Sequence, residues 1–319
     1  MHDLRPKQLR SDAAAALNAA SYDPRRLVLI HTAVSAGLAL ALYGVNFLLS
    51  DQISQTTGLS GISTTATLEF LQALLAILNA LALPIWELGF LWAALQILRR
   101  QETGPRSLTA GFRRFFPLLI GKLLQSILLM GAMTLGAYVG TFVFCLTPGA
   151  QALSAAMKPY LTGDTLDYSL LLADPAVISA LPRSLPFLIA GAAIFALPLF
   201  YRLRLVDYSL IDTPKTGPVL SIFKSTLLMR GNRLKLLKLD LSFWWFYLLE
   251  LIISLVSLGD LLLPLLGLEL GMSEDLALLA FYIAALVLQL ALYCWKKPMV
   301  TVTYAGFYQA LLQPPEQAE

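Results

Sequence analysis

The sequence is poor in charged residues. Only 13% of its 319 residues are Asp, Glu, Lys or Arg, whereas 57% are hydrophobic. A soluble globular domain carries roughly a quarter charged residues, so this chain has too few of them to cover a water-exposed surface. The composition excludes an ordinary soluble protein and predicts a polytopic membrane protein.

Cysteine and histidine are also scarce, with two of each. Cys145 and Cys294 lack the spacing of a metal or redox motif, and we interpret both as small apolar residues. The chain contains neither the phosphate-binding pattern G-x-x-x-x-G-K-[ST] nor the zinc-protease pattern H-E-x-x-H. We therefore expect no metal and no cofactor, and the sequence assigns no catalytic residue.

Long apolar runs are what the sequence has instead. A helix needs about 20 apolar residues to cross the hydrocarbon core of a bilayer. Six segments approach or exceed that length, namely 27–49, 67–98, 116–146, 185–201, 239–258 and 276–294. The predicted fold class is therefore all-α, a polytopic transmembrane helical bundle with six spans.

The basic residues predict the orientation of these spans. With the N-terminus inside, only Lys158 and Arg183 of the 23 Lys and Arg residues fall in outer segments. Cytoplasmic loops of membrane proteins are enriched in Lys and Arg. Both termini are therefore predicted to be cytosolic.

The segments outside the spans are assigned to the cytosolic membrane surface. Residues 1–26 are predicted to form an amphipathic helix whose cations favour an interfacial position against anionic lipid, with a weakly ordered tail as the alternative. Residues 27–312 form the six-span domain, with amphipathic loop helices at about 105–116 and 218–230. Residues 313–319 form a cytosolic tail. Both loop helices follow a Thr-Gly-Pro tripeptide, which leaves open whether the two hairpins are a duplication.

Basic residues border several spans and are candidate contacts for lipid headgroups. They are Arg99, Arg100, Arg113, Arg114, Arg230, Arg233, Lys235 and Lys238. A nucleic-acid site would need such residues on a soluble face, and these border the membrane, so we expect no nucleic-acid partner. The predicted partners are membrane lipids, including anionic headgroups on the cytosolic side. Whether the chain also binds a protein partner or forms a homo-oligomer is left open by the sequence.

Four polar residues lie inside predicted spans. Glu87 is near the middle of the second span, and Asn79 lies eight residues earlier on roughly the same face. Glu250 is about halfway along the fifth span, and Gln289 is within the sixth. A carboxylate at this depth is costly and usually faces the bundle interior or a wet cavity. These four residues form the candidate polar site, which either handles a proton or ligand or makes cross-helix hydrogen bonds. His31, close to the interface, is interpreted as structural.

One segment carries a family resemblance. The stretch "STLLMRGNRLKLLKLDLSF" combines a serine, Leu-Met-x-Gly, basic residues and a leucine-rich run ending in Leu-Ser-Phe. The matching residues are Ser225, Leu228, Met229, Gly231, Leu241, Ser242 and Phe243. This pattern resembles the signature of an uncharacterised bacterial integral-membrane family, the domain of unknown function 975. "YRLRLVDYSLID" upstream and "TYAGFYQAL" downstream are also similar, so the resemblance covers about residues 85–312.

The resemblance implies a multi-pass protein of a bacterial plasma membrane with no established activity. No catalytic residue can be carried over from it. The chain departs from the family pattern in a longer segment between the last two spans. Within the signature, Gly231 is expected to end a cytosolic helix in the left-handed conformation.

These features support three functions. The leading hypothesis is a non-enzymatic membrane protein that binds or transports a small or lipidic ligand, with Glu87 and Glu250 lining the site. The second is a scaffold or accessory subunit that binds lipid headgroups or a protein partner through the basic loops. The third, a lipid-modifying enzyme, needs a catalytic constellation that we do not find in the sequence.

Labelling of intact cells tests the predicted orientation. In a background with Cys145→Ala and Cys294→Ala, the thiol introduced by Glu319→Cys is expected to resist a membrane-impermeant maleimide until the cells are lysed. The thiol introduced by Asp164→Cys, in a predicted outer segment, is expected to react before lysis and serves as the control. Reaction at position 319 in intact cells would contradict the orientation.

Overall fold

A computed structural model of the chain describes residues 5–55, 62–161, 183–213, 216–256 and 274–312. All regular structure in these residues is helical, as predicted. The α-helices are α1 (Pro6–Asn18), α2 (Pro24–Gln55), α3 (Ile62–Leu98), α4 (Pro105–Leu108), α5 (Phe115–Cys145), α6 (Pro148–Leu161), α7 (Leu185–Leu203), α8 (Val206–Asp212), α9 (Pro218–Leu228), α10 (Arg233–Ser242), α11 (Trp244–Val256) and α12 (Glu274–Leu312). A 3-10 helix, Thr109–Arg114, joins α4 to α5.

Three stretches of the described residues are long and apolar enough to cross a membrane, Pro105–Cys145, Leu185–Asp212 and Ile283–Leu312. Shorter apolar helices cover Leu83–Leu98, Pro218–Leu228 and Trp244–Leu255. Each of the six spans predicted from the sequence overlaps a helix. The structure is thus compatible with a membrane protein.

The chain divides into two compact units. The first comprises Met1–Ile120, Asp207–Ser221 and Gly231–Glu319. Its central element is α12, which contacts α1, α2, α3 and α11, while α3 also packs against α2 and α4. The first unit is therefore a bundle assembled around one long helix.

The two halves of α12 have different surroundings. Apolar side chains of its first half are exposed, such as Ile283 (52%) and Val287 (61%). In its second half, Val302, Phe307 and Tyr308 are almost completely buried. An exposed apolar stretch of this length is what acyl chains accommodate and water does not. The first half of α12 thus resembles a membrane helix, and the second half is the centre of a protein core.

The N-terminal helix α1 belongs to that core. Its apolar stripe, Leu9, Ala13 and Ala16, is buried, and α1 packs on α12. The protein itself therefore covers the apolar stripe of α1.

α12 is also longer than the predicted sixth span. The predicted span ends at Cys294, whereas the helix continues through Lys296, Lys297 and Pro298 for a total of 39 residues. At 1.5 Å per residue this is about 58 Å, roughly twice the thickness of the hydrocarbon core. The pair of lysines ends the apolar run but not the helix.

The predicted fifth span is interrupted at Phe243. There the backbone has φ −113° and ψ 16°, so α10 ends and α11 begins at Trp244. The Phe243 side chain is buried, with its ring centroid 6.4 Å from that of Tyr304 and the Arg10 guanidinium 5.4 Å from its centroid. These contacts hold Phe243 in the core. The apolar helix consequently starts at Trp244 rather than at Leu239.

The second unit comprises Gly121–Val206 and Ile222–Arg230. Here α5 and α7 approach so closely that a Cβ atom at Gly136 would meet the Gly191 carbonyl, and one at Gly140 would meet the Phe187 carbonyl. Small residues four positions apart allow such an approach between membrane helices. Glycine therefore forms the contact between these two helices.

The large side chains of the same two helices are exposed instead. They include Ile127, Met130, Tyr138, Phe142, Ile189, Ile194 and Leu197. A soluble bundle would place such residues inside and polar residues outside. Small residues inside and large apolar residues outside are typical of helices that lie in lipid.

The backbone around the family signature matches one expectation directly. Gly231, just after α9, has φ +81°. This left-handed conformation is the one expected for a glycine that ends a helix.

Substitution of glycine tests the close approach of α5 and α7. Gly136→Ala is expected to lower the stability of the solubilised protein by about 1–3 kcal/mol, because the methyl group would push the two backbones apart. Gly131→Ala, in the same helix but with open space around the added methyl, is expected to be neutral or stabilising by about 0.5–1 kcal/mol. Thermal unfolding of both variants measures the difference, and equal melting temperatures would contradict the contact.

Candidate functional site

One face of α12 carries polar side chains at intervals of three or four residues. They are Gln289, Tyr293, Lys297, Thr301, Tyr304 and Tyr308, and we call them the α12 polar stripe. Because an α-helix has 3.6 residues per turn, this spacing keeps them on one side. Four of these side chains contact acidic side chains of four other helices.

The first acid is Glu87 of α3. Its Oε1 lies 3.2 Å from Lys297 Nζ, its Oε2 accepts a hydrogen bond from the same Nζ at 3.4 Å, and His31 Nε2 is 3.2 Å from Oε2. The Glu87 side chain is 46% exposed, while those of His31 and Lys297 are 4% and 15% exposed. The carboxylate thus has two basic neighbours that lie deeper in the protein than it does.

Aromatic residues fix the position of His31. Its ring stacks on Trp86, with centroids 5.6 Å apart, and its centroid lies 5.0 Å from that of Phe90. Trp86 Nε1 donates a hydrogen bond to the His31 carbonyl oxygen at 3.1 Å. The structural role expected of His31 agrees with this packing, and the structure adds its proximity to Glu87.

The second acid is Glu250 of α11. The Tyr293 hydroxyl donates a hydrogen bond to Glu250 Oε1 at 2.6 Å, and Gln289 Nε2 donates to the same hydroxyl at 3.2 Å. Lys297 Nζ lies 4.4 Å from the centroid of the Tyr293 ring, within the range of a cation–π interaction. Tyr293 and Lys297 therefore connect Glu250 to Glu87.

The structure brings together three of the four predicted polar residues, Glu87, Glu250 and Gln289. Asn79 belongs to α3, but its side chain lies outside the described residues. Sequence reasoning missed Tyr293 and Lys297. The signal that could have revealed them is the spacing of polar residues along α12, which is not apparent when the span is ended at Cys294.

The helix α3, which carries Glu87, is longer than the predicted second span. It has 37 residues, more than a single bilayer crossing needs. Within it, Glu87 lies beside His31 and Lys297, two basic residues of other helices.

The third and fourth acids lie farther along α12. The Tyr304 hydroxyl donates a hydrogen bond to Asp240 of α10, and the Tyr247 and Tyr304 hydroxyl oxygens are 2.6 Å apart. The Tyr308 hydroxyl donates to Asp212 Oδ2 at 3.3 Å. These acids tie α10 and α8 to the second half of α12.

Arg99, a predicted headgroup contact, is engaged inside the protein. One guanidinium nitrogen donates to Asp212 Oδ1 at 2.6 Å, and Nε donates to Gln309 at 3.4 Å. The hydrogen bond to Asp212 raises the pKa of Arg99 above its already high value, so the guanidinium stays charged at neutral pH.

The other predicted headgroup contacts are on the surface or partly buried. Arg233 is partly buried, and the other six side chains are exposed, namely Arg100, Arg113, Arg114, Arg230, Lys235 and Lys238.

Among the described residues, no group of three or more His, Cys, Asp or Glu side chains is arranged to hold a metal ion.

A double-mutant cycle tests the pairing of Glu87 with Lys297. Lys297→Met and Glu87→Gln are each expected to destabilise the protein because each leaves a charge or dipole without its partner. The loss should stay below the roughly 3–5 kcal/mol of a fully buried pair, since Glu87 is half exposed. The double variant should lose less than the sum of the two single losses. Glu102→Gln, at an exposed acid, is the control, and strictly additive losses would contradict the pairing.

The segments that carry the family resemblance meet around α12. Asp212 comes from "YRLRLVDYSLID", Asp240 from the signature segment, and Tyr304 and Tyr308 from "TYAGFYQAL". Comparison with family models matches residues 7–314 to the model described as Protein of unknown function (DUF975). Comparisons with curated proteins and with solved structures gave no match. Since the match spans nearly the whole chain, the protein belongs to the DUF975 family.

Proposed function

We propose that this chain is a multi-pass protein of a bacterial plasma membrane, with six spans and cytosolic termini, that binds a small or lipidic ligand beside the α12 polar stripe. The membrane assignment is supported by three helices of spanning length and by the exposed apolar side chains of α5 and α7. The orientation is supported by the distribution of Lys and Arg. The proposed role is binding or transport, without catalysis.

The observation that carries the binding role is the unequal exposure around Glu87. A carboxylate whose only role is to hold helices together interacts most strongly with its partners when all of them are buried, because the local dielectric constant is lowest there. Here His31 and Lys297 are enclosed, but nearly half of the Glu87 side chain is accessible. The acid is thus oriented by the protein and open to a molecule from outside.

The remaining hydrogen-bonding capacity of Glu87 limits the chemistry of the ligand. An ionised carboxylate accepts about four hydrogen bonds, and Glu87 accepts one, from Lys297 Nζ, while His31 Nε2 lies 3.2 Å from the same oxygen. The remaining capacity suits a hydrogen-bond donor or a cationic group. Trp86 and Tyr293 make the surroundings aromatic, which also favours a cation. A small amine or a lipid with an amino headgroup has this chemistry.

Retention of co-purifying molecules tests the proposal. Native mass spectrometry of the purified wild-type protein is expected to show a bound small molecule or lipid. The combined Glu87→Gln and Glu250→Gln variant should lose that species at least about tenfold, as expected for a lost charge-assisted contact of about 1.4 kcal/mol or more. Glu102→Gln should retain it. Equal retention by the wild type and the combined variant would contradict the site.

A scaffold or accessory subunit is the second candidate function. The observation that favours it is the surface of α9, where Phe223 and Leu227 are 63% and 61% exposed close to the exposed Arg230. Such a face can bind lipid or a partner protein. Stable co-purification with one protein would favour this function, whereas flux of a ligand through sealed vesicles of the pure protein would favour the first.

A further inference from the structure

One side of α10 is part of the protein core. Leu236 and Leu239 are completely buried, and Asp240 on the same side accepts the hydrogen bond from Tyr304. The hydrogen bond joins α10 to α12, and α10 also contacts α1. The helix is therefore fixed in position and orientation by the first unit.

The opposite side of α10 is also apolar, yet it is uncovered. Leu234, Leu237 and Leu241 are 71%, 38% and 60% exposed. They recur at intervals of three and four residues and so lie on one stripe, which we call the outer leucine stripe. An apolar residue every turn on the exposed side of a surface helix requires an apolar neighbour.

Cations flank this stripe. By helical geometry Lys238 and Lys235 follow one edge, and Arg233 lies at the other. Both lysines are exposed. The Nε atom of Arg233 is buried and has no hydrogen-bond partner within the described part of the chain. Leucines between basic residues match the boundary between acyl chains and anionic headgroups.

The apolar helix α11 follows α10 after a single residue, Phe243. Its Trp244 and Leu248 are also exposed, at 60% and 43%. Tryptophan is enriched where a membrane helix crosses the level of the headgroups. The apolar neighbour of α10 is therefore the medium that surrounds α11, which favours lipid over a soluble protein.

We infer that α10 lies in the plane of the cytosolic leaflet and binds anionic phospholipid. The outer leucine stripe enters the region of the acyl chains, and Lys235, Lys238 and Arg233 contact the phosphates. This inference rests on the membrane embedding in the proposed function and is independent of ligand binding at Glu87. Asp240, on the inner side of α10, accepts a hydrogen bond from Tyr304. The helix α10 therefore connects the lipid headgroups to α12.

Spin labels test the position of α10. The full chain with Cys145→Ala and Cys294→Ala receives a nitroxide at Leu237→Cys or at Lys238→Cys and is reconstituted in vesicles of phosphatidylcholine and phosphatidylglycerol. The label at position 237 is expected to collide with oxygen and to be shielded from a water-soluble nickel complex. The label at position 238 should collide with the nickel complex. Nickel access at position 237 would place the stripe in water and overturn the inference.

Dipolar broadening between labels at position 237 would also overturn it, because the stripe would then face a second copy of the chain. Both labelled sites are on the exposed side, so the variants should fold. Size-exclusion chromatography and circular dichroism check this before labelling.

Lipid selectivity tests the role of the cations. Each cation near an anionic surface contributes about 1 kcal/mol, so Lys235→Gln with Lys238→Gln should lower the retained ratio of phosphatidylglycerol to phosphatidylcholine by about 30-fold. Lys158→Gln with Arg183→Gln removes the same charge from the predicted outer segments and should leave the ratio near that of the wild type. An unchanged ratio in the α10 variant would overturn the inference.

The Glu87→Gln and Glu250→Gln variant separates this result from the proposed function. It leaves α10 intact, so it should keep the wild-type lipid ratio even if it loses a bound ligand. If the ratio of phosphatidylglycerol to phosphatidylcholine fell in this variant but not in the variant with Lys235→Gln and Lys238→Gln, the lipid would be bound at the α12 polar stripe. That result would show that α10 is not the helix that binds the lipid.

Discussion

Four partly buried carboxylates from four different helices have their partners on a single helix, α12. The pairs are Glu250 with Tyr293, Glu87 with Lys297, Asp240 with Tyr304, and Asp212 with Tyr308. Their partners stand three or four residues apart, so they share one face only if α12 remains helical throughout. The hydrogen bonds of α10 and α8 to α12 thus depend on the continuation of α12 past its lysines and Pro298.

The packing around α12 follows from two different surroundings. Where its apolar side chains are exposed, as at Val287, burial of apolar surface cannot drive assembly. Separately, within the second unit, α5 and α7 approach each other through glycine. Where Phe307 and Tyr308 are buried, the usual hydrophobic effect applies, and polar side chains are held by hydrogen bonds. The polar site lies where these two regimes meet. An acid can be oriented there by enclosed groups and still be accessible.

The sequence predicted what depends on composition alone. Lipid requires long apolar runs, and the six predicted runs overlap α2, α3, α5, α7, α11 and α12. It could not predict where α12 ends or why α10 ends at Phe243, because the first depends on a core formed by distant segments and the second on contacts with Arg10 and Tyr304. Glu87 and Glu250 were identified because charge is rare in apolar runs. The connection between these two acids through Lys297 and Tyr293 was not predicted, because Glu87 and Lys297 are 210 residues apart in the sequence.

The change of surroundings along α12 is the central structural feature of the first unit. A nitroxide scan along residues 283–308, in vesicles, measures it directly through collision rates with oxygen and with a water-soluble nickel complex. Labels at positions 283 and 287 should collide with oxygen, and labels at positions 302 and 305 should be shielded from both reagents. Strong collision with oxygen at all four positions would place the whole helix in lipid and contradict the account.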